Sequence, residues 1–276
     1  MGAKIKIVPS KLNRYEERRF SHTPIIKSRF RTFMSEMDNF ILNLNKLLSI
    51  NKKLFIMAYS ELCMIINNDW IDFDSTPKKI NELKEIAKLS YLNVYESYVN
   101  KYKDTPQKDF DILNYVYTSL LKTTDLMKHL YNLNKESVGK LRGIAMEAIC
   151  LSIFGNTKEL REDSFVWDFN AYENEDLIII KEKQTADIYF KESMNCLISE
   201  IKCRPGGIDE GQVDFINYVA KVIDENCRFT PKKIILHGGT IDDYNNLKID
   251  FRHKLVDFKV YCKNSIEKLL EELPIF

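Results

Sequence analysis

The chain has 276 residues, of which 45% are hydrophobic and 29% are charged. This balance is typical of a folded globular protein and argues against a disordered, fibrous or membrane-embedded chain. The net charge of +1 gives no global sign of nucleic-acid binding.

No stretch of the sequence is apolar and long enough to span a bilayer, and the N-terminal segment lacks the continuous apolar core of a secretory signal. We therefore expect a cytoplasmic protein. The six cysteines form no CxxC pair and are expected to be reduced core residues, and the four histidines are dispersed. A zinc cluster would have to be assembled entirely by the fold, so neither zinc nor an organic cofactor is expected.

The segment between Lys4 and Arg31 is rich in lysine and arginine and contains few acidic residues. Two interpretations stay open for it. It is either a solvated arm, or an arm whose cations, among them Arg14, Arg18 and Arg19, contact DNA phosphates.

Hydrophobic residues recur at three-and-four spacing through residues 32 to 50, which predicts a helix with one buried face. A second helix is predicted at residues 52 to 67. A third is predicted to start at Thr76, because the proline that follows suits the first helical turn. A fourth is predicted at residues 108 to 130, so the first half of the chain is predicted to be helical.

The pattern changes after Leu133, where Ser137 is predicted to begin a helix that extends through Phe154. Short β-branched and aromatic runs follow. The predicted strands are residues 164 to 169, 176 to 182, 185 to 190, 195 to 202, 232 to 237 and 256 to 261, with helices at 209 to 225 and 265 to 273. These elements predict an α/β fold with a mixed central β-sheet covered by helices. The predicted divisions are a basic arm of residues 1 to 31, a helical domain of residues 32 to 134 and an α/β domain of residues 135 to 276.

The predicted strand at residues 195 to 202 ends in Glu200 and Lys202, which share a face because they are two positions apart. Burying these charges is costly unless they meet a partner or a metal. A structural salt bridge is one interpretation. The other depends on Asp187, a lone acid on the preceding predicted strand, which an antiparallel turn would bring near Glu200. Two converging carboxylates repel each other, and a hard cation such as Mg²⁺ relieves that repulsion.

Glu147 lies on the helix that precedes these strands, one turn after Gly143. Glycine costs a helix about 1 kcal/mol relative to alanine, so Gly143 suggests close packing or the close approach of a phosphate. Glu147 is either a surface glutamate or a third acid of the same site. Arg142, next to Gly143, is either a phosphate contact or an ion-pair partner.

The order of these residues resembles that of the PD-(D/E)XK nuclease superfamily over residues 136 to 261: a helix with Glu, a strand with Asp, and a strand with (D/E)xK followed by a helix and another strand. The resemblance implies a restriction-endonuclease-like core. It also implies roles for matching positions: metal binding by Asp187, Glu200 and Ile201, orientation or activation of the attacking water by Lys202, and accessory metal binding by Glu147. Ala186 stands where the proline of the motif would stand, a departure that is frequent in the superfamily.

The run from Glu200 to Ile223 is similar to type II restriction endonucleases, which often follow the (D/E)xK strand with a glycine-containing loop and a helix. This similarity implies a homodimer that hydrolyses double-stranded DNA at specific sites with Mg²⁺, for which Mn²⁺ substitutes, leaving a 5′-phosphate. The loop with Gly206 and Gly207 is either a DNA-facing loop or a plain turn capped by Asp209. Arg204 and Gln212 are candidate DNA contacts.

Three alternatives to a type II restriction enzyme stay open. The chain is a nuclease of the same superfamily with a task in repair or transposition, or one subunit of a heterodimeric restriction enzyme. In the third alternative it is a non-catalytic DNA-binding protein whose carboxylates and lysine form an inert ion-pair network.

Overall fold

The computed structural model describes residues 4–10, 24–67, 76–102, 106–133, 137–154, 164–192, 195–227 and 230–272. The chain divides into two compact units. A helical unit comprises residues 14–156 and 263–276, and a sheet unit comprises residues 1–13 and 157–262. Among the described residues, none of the helices combines the length and the apolar character that crossing a bilayer requires.

The helices of the described residues are distributed over both units. In chain order they are α1 (Pro24–Ile50), α2 (Lys52–Asn67), α3 (Thr76–Lys101), α4 (Gln107–Leu133), α5 (Ser137–Leu151), α6 (Glu210–Asn226), α7 (Ile241–Asn245) and α8 (Ile266–Glu272). Short 3₁₀ turns at Ser152–Phe154, Pro205–Gly207 and Arg252–Leu255 accompany them.

The helical unit is built around α1 and α4, which pack against each other, with α2, α3 and α5 packed around them. The apolar stripe of α1 is fully buried, as its three-and-four spacing requires. Asn51, between α1 and α2, caps α2 by accepting a hydrogen bond from the Leu54 main-chain N–H at 3.0 Å. Its side chain also accepts from the Tyr98 hydroxyl of α3 at 3.0 Å and donates to Asp109 of α4 at 2.8 Å. One asparagine therefore connects four helices.

The bounds of α2 agree with the predicted helix, and α3 begins at the predicted Thr76. Helix α1 begins at Pro24, eight residues before its predicted start, because proline fits a first helical turn and the buried stripe already includes Phe30. Helix α5 groups with the helical unit, although its sequence position precedes the strands with which the sequence analysis had combined it.

The sheet unit contains seven strands within its described residues. They are β1 (Ile5–Pro9), β2 (Phe165–Glu173), β3 (Asp176–Leu177), β4 (Thr185–Glu192), β5 (Asn195–Lys202), β6 (Lys232–His237) and β7 (Phe258–Cys262). The order across the sheet is β1-β2-β4-β5-β6-β7, with the short β3 paired to β2. Pairings from β1 to β5 are antiparallel, whereas β5-β6 and β6-β7 are parallel. The predicted α/β fold with a mixed sheet and helices is confirmed at this level.

Helix α6 makes the crossover between the parallel strands β5 and β6. Asp209 starts the helix by accepting a hydrogen bond from the Gln212 N–H at 3.1 Å. The apolar side of α6, including Phe215 and Val219, packs on the sheet in a core that also contains Phe169 and Ile198. Because this face of α6 packs on the sheet, the helix holds the C-terminal end of β5 in position.

Two parts of the sheet differ from the sequence-based prediction. Strand β1, within the segment interpreted as a basic arm, pairs with β2 through Ile5↔Glu173 to Pro9↔Phe169. The predicted strand at residues 176 to 182 is interrupted, because the chain turns tightly at Lys181 and Glu182, whose φ angles are 47° and 66°. Both angles are positive, as in a two-residue type I′ hairpin turn.

Candidate functional site

The antiparallel ladder between β4 and β5 ends where the predicted acids begin. Its last pair is Ile188↔Ser199, and the next residue along each strand is Asp187 on β4 and Glu200 on β5. Asp187 Oδ2 accepts a hydrogen bond from the Ile201 main-chain N–H at 2.6 Å. A side chain thus takes the place of a ladder carbonyl, and the carboxylate of Asp187 is held against the end of β5.

Glu200 and Lys202 form an ion pair on one side of β5, in which Lys202 Nζ donates to Glu200 Oε1. The side chain of Glu200 is 4% exposed and that of Lys202 is 22% exposed. The pair therefore reaches solvent through the ammonium rather than through the carboxylate. Such partial burial strengthens electrostatic interactions with a ligand that approaches from the open side.

The loop after β5 supports the stem of Lys202. A Cβ placed on Gly207 would lie 3.5 Å from Lys202 Cδ, so the backbone of the loop runs alongside this side chain. The Lys202 carbonyl accepts a hydrogen bond from the Gly238 N–H at 3.2 Å. Pro205 lies close to Gly239, where an added Cβ would be 3.1 Å from Pro205 Cδ. The loops after β5 and β6 therefore pack together around the base of Lys202.

His237 is a residue of this region that the sequence analysis did not select. It ends β6 as the register partner of Lys202, and it is fully buried. Within the described residues, neither ring nitrogen has a hydrogen-bond partner. Burial lowers the pKa of His237 to about 4, against an opposing effect of Asp243, so the imidazole is neutral at pH 7. A sequence signal for His237 was its position as the last residue of the predicted strand at residues 232 to 237.

Two residues predicted to contact DNA lie in or after the loop that follows β5. Arg204 is exposed, as a DNA contact requires. The Gln212 side-chain amide donates to the Thr185 carbonyl of β4 at 3.0 Å, so this group fastens α6 to the sheet. Gly206 is exposed, and a Cβ there would meet nothing within 4 Å. The interpretation of this segment as a capped turn is supported by the hydrogen bond at Asp209, and a DNA-facing role for Arg204 stays a prediction.

The remaining predicted residues belong to the helical unit or to the part of the chain that the structure does not describe. Glu147 and Arg142 belong to α5 in the helical unit, Glu147 partly exposed and Arg142 buried. A Cβ on Gly143 would meet nothing within 4 Å, so close packing does not explain this glycine. The arginines of the basic segment, Arg14, Arg18 and Arg19, lie outside the described residues.

The donor chemistry at the end of β5 fits a hard divalent cation. Within the described part of the chain, no three His, Cys, Asp or Glu side chains come together as a metal site. The resemblance requires only two carboxylates and Ile201, which has no polar side chain and can offer only its main-chain carbonyl. Carboxylate and carbonyl oxygens suit Mg²⁺, which keeps several waters and binds substrate phosphates at its remaining positions. A carboxylate has about four lone-pair sites, so the hydrogen bond to Asp187 is compatible with metal binding.

Comparison of the chain with protein-family models, with curated proteins and with solved structures gave no match.

Proposed function

We propose that the chain is a metal-dependent endonuclease that hydrolyses phosphodiester bonds in double-stranded DNA, with Asp187, Glu200 and Lys202 as its catalytic residues. The observation that carries this proposal is the Glu200–Lys202 ion pair beside Asp187. The side chain of Glu200 is 4% exposed, and burying a carboxylate costs stability unless it is paired or binds a cation. A catalytic role explains why these charges stand here.

Asp187, Glu200 and the Ile201 carbonyl are the groups that would hold the metal. A divalent cation supplies positive charge to the phosphate and lowers the pKa of bound water. Lys202 places an ammonium next to this donor set, where it stabilises the attacking hydroxide and the negative charge that develops on the phosphate. The buried side of the pair excludes water from Glu200, which strengthens these interactions. Glu147 stays a proposed accessory ligand.

Within this reaction class we favour a type II restriction endonuclease, because the run that follows Glu200 is similar to such enzymes. Symmetric cleavage of a duplex requires two active sites, so a homodimer acting on a two-fold symmetric sequence is proposed. Such an enzyme acts in the cytoplasm. A repair or transposition nuclease, or a subunit of a heterodimeric enzyme, would use the same three residues.

The proposal is tested by incubating the full-length protein with supercoiled plasmid in magnesium, in manganese, and in magnesium with EDTA. We expect cleavage with either metal and none with the chelator. Discrete fragments indicate site-specific cutting, whereas a smear indicates a nonspecific nuclease. Cutting that persists undiminished in EDTA would contradict the metal assignment.

Asp187→Asn is the sharpest variant for this test, since an amide oxygen can still accept the hydrogen bond from Ile201 while the negative charge is lost. We expect it to fold and to bind DNA without cutting. Asp176→Asn, at an exposed acid of β3, is the control and should cut normally. If the wild-type protein binds duplex DNA but no metal supports cleavage, the non-catalytic DNA-binding alternative is favoured.

A further inference from the structure

His237 is buried at the end of β6 beside the candidate active site, and the proposed reaction gives it no role. Its side chain is fully buried, and within the described residues neither ring nitrogen has a hydrogen-bond partner. A buried polar group without a partner costs stability. Leucine would fill a similar volume without that cost, so packing alone does not explain a histidine at this position.

Strand alternation and the parallel register place His237 on the same face of the sheet as Glu200 and Lys202. Ile198 of β5 and Ile235 of β6 both belong to the core under α6. Glu200 and Lys202 lie two and four positions after Ile198, so they face the same side. His237 lies two positions after Ile235 and is the register partner of Lys202. Neighbouring strands are about 4.8 Å apart, so these two side chains leave the sheet next to each other.

The imidazole of His237 is held by a ring contact and by the loops that follow β5 and β6. It stacks with the ring of Tyr244, with centroids 6.1 Å apart and planes 25° apart. Arg252 lies over the Tyr244 ring at 5.1 Å and donates to the Tyr244 carbonyl at 3.1 Å. A Cβ added to Gly239 would be 3.3 Å from His237 Nδ1 and 3.1 Å from Pro205 Cδ. DNA does not touch so enclosed a ring, and any role in the reaction acts through a neighbouring residue.

Metal binding changes the surroundings of the Lys202 ammonium. Glu200 Oε1 accepts a hydrogen bond from Lys202 Nζ. A cation bound by the same carboxylate competes with the ammonium for it. An ammonium has three donors, and a neutral imidazole has one nitrogen that accepts. Burial lowers the pKa of His237, so the ring is neutral at pH 7 and one of its nitrogens can accept a hydrogen bond.

We propose that His237 is a positioning residue that accepts a hydrogen bond from the Lys202 ammonium when Glu200 binds the metal. The inference rests on the proposed function and names the residue that holds Lys202 in the metal-bound enzyme. An acceptor for the ammonium stabilises the metal-bound state, so His237 favours metal binding. It also fixes the ammonium in one place, as the stabilisation of a developing charge requires.

The test compares His237→Leu, which keeps the bulk and removes both nitrogens, with His237→Gln, whose side-chain oxygen can accept at about the position of Nε2. Binding of Mn²⁺ to the full-length protein without DNA is followed by the paramagnetic resonance signal of the free ion. The leucine variant should bind Mn²⁺ about tenfold more weakly or worse, the range of a hydrogen bond to a charged group, and the glutamine variant should bind near the wild-type level. His253→Leu, at an exposed histidine, is the control and should bind as the wild type does.

A histidine that only packs gives the opposite order. His237→Leu would then bind Mn²⁺ as the wild type does, and His237→Gln would lower the melting temperature, because it buries an amide without a partner. That outcome would overturn the proposal. At saturating magnesium, the positioning role predicts that His237→Leu lowers kcat about tenfold while KM for DNA stays near wild type, because the buried ring does not touch DNA.

A double-mutant cycle assigns the effect to Lys202. Lys202→Met removes the competing ammonium, so this variant should bind Mn²⁺ at least as tightly as the wild type. Adding His237→Leu should then have no further effect on Mn²⁺ affinity. If the wild type binds Mn²⁺ and cuts DNA but His237→Leu weakens binding equally with and without the lysine, the proposal is wrong and the proposed function stands. A wild type that neither binds Mn²⁺ nor cuts DNA would overturn both.

Discussion

Two lysine–carboxylate arrangements in the sheet unit differ in burial and in what they connect. Lys181 and Lys254 both contact Glu210 and Asp214 of α6, at distances from 2.7 to 3.1 Å. This network joins the 180–183 hairpin and the 3₁₀ turn before β7 to one helix. The Glu200–Lys202 pair is more buried and lies within one strand.

The partners of each charge distinguish a structural cluster from a candidate catalytic one. In the α6 network, each cation contacts two carboxylates and each carboxylate contacts two cations, so the charges satisfy one another. Hydrogen bonds with Asp214 and then Glu210 raise the pKa of Lys254, and hydrogen bonds from Lys254 and then Lys181 lower that of Glu210. Both shifts favour the charged forms. At the end of β5, Asp187 of β4 joins the Glu200–Lys202 pair, and two converging carboxylates suit a cation.

The largest expected effect comes from Lys202→Met, which keeps the stem beside Gly207 and removes only the ammonium. If Lys202 acts in the transition state, cleavage in magnesium should fall about a hundredfold or more, while DNA binding in calcium and the melting temperature stay near wild type. If Lys202 only neutralises Glu200, the variant should instead lose about 3 to 5 kcal/mol of stability.

The matched control is Lys254→Met, which removes an ammonium of similar exposure, 26% against 22% for Lys202, from the α6 network. It should leave the cleavage rate unchanged and lower stability less, since Lys181 still contacts both Glu210 and Asp214. A Lys202 variant that is stable, binds DNA and still cuts at the wild-type rate would rule out the proposed active site.

The second expected effect concerns the exclusion of water from His237, the register partner of Lys202. The unfolded chain takes up a proton on His237 near pH 6.5, whereas burial keeps the folded protein from doing so until about pH 4. The stabilisation is therefore complete above about pH 6.5 and is lost as the pH falls to about 4, by about 3 kcal/mol in total.

His237→Leu isolates this contribution. The free energy of unfolding of wild type and variant is measured by urea denaturation at several pH values. Between pH 6.5 and 4 the wild type should lose about 3 kcal/mol relative to the variant, which has no imidazole at this position. The exposed His253, changed to Asn, is the control and should give parallel curves. Parallel curves for His237→Leu as well would mean that water reaches this end of the sheet.

The sequence predicted the elements whose signals are local. The bounds of α2 and the start of α3 follow from hydrophobic period and from Thr76 before a proline, and β6 has its predicted bounds. Asp187, Glu200 and Lys202 were selected from the spacing within two strands, and the structure brings these three to adjacent strand ends.

Features that depend on tertiary contacts were missed. Strand β1 lies in a lysine-rich segment and is a strand because it pairs with β2, which follows about 155 residues later in sequence. The role of His237 depends on its burial, which the alternation of residues in a single strand cannot reveal. Gln212 was selected as a DNA contact, but its carboxamide is positioned by Thr185 on a strand that only the folded sheet brings near.

The smallest expected effect concerns the 180–183 hairpin, which carries Lys181 of the α6 network. Lys181 and Glu182 both have positive φ, a conformation that costs a residue with a Cβ about 1 kcal/mol, and neither glycine nor asparagine stands at the turn. Glu182→Gly should therefore stabilise the protein by about 0.5 kcal/mol, because the gain exceeds the entropy lost by glycine. Glu192→Gly, at the exposed end of β4, is the control and should destabilise it by a similar amount, since the extended backbone there needs no glycine. Thermal denaturation measures both changes.

The hairpin carries Lys181 into the α6 network and not into the β5 pair, so Glu182→Gly should cut DNA at the wild-type rate. A lower rate would show that the network does more than hold α6 in place, and would weaken the distinction between the two arrangements.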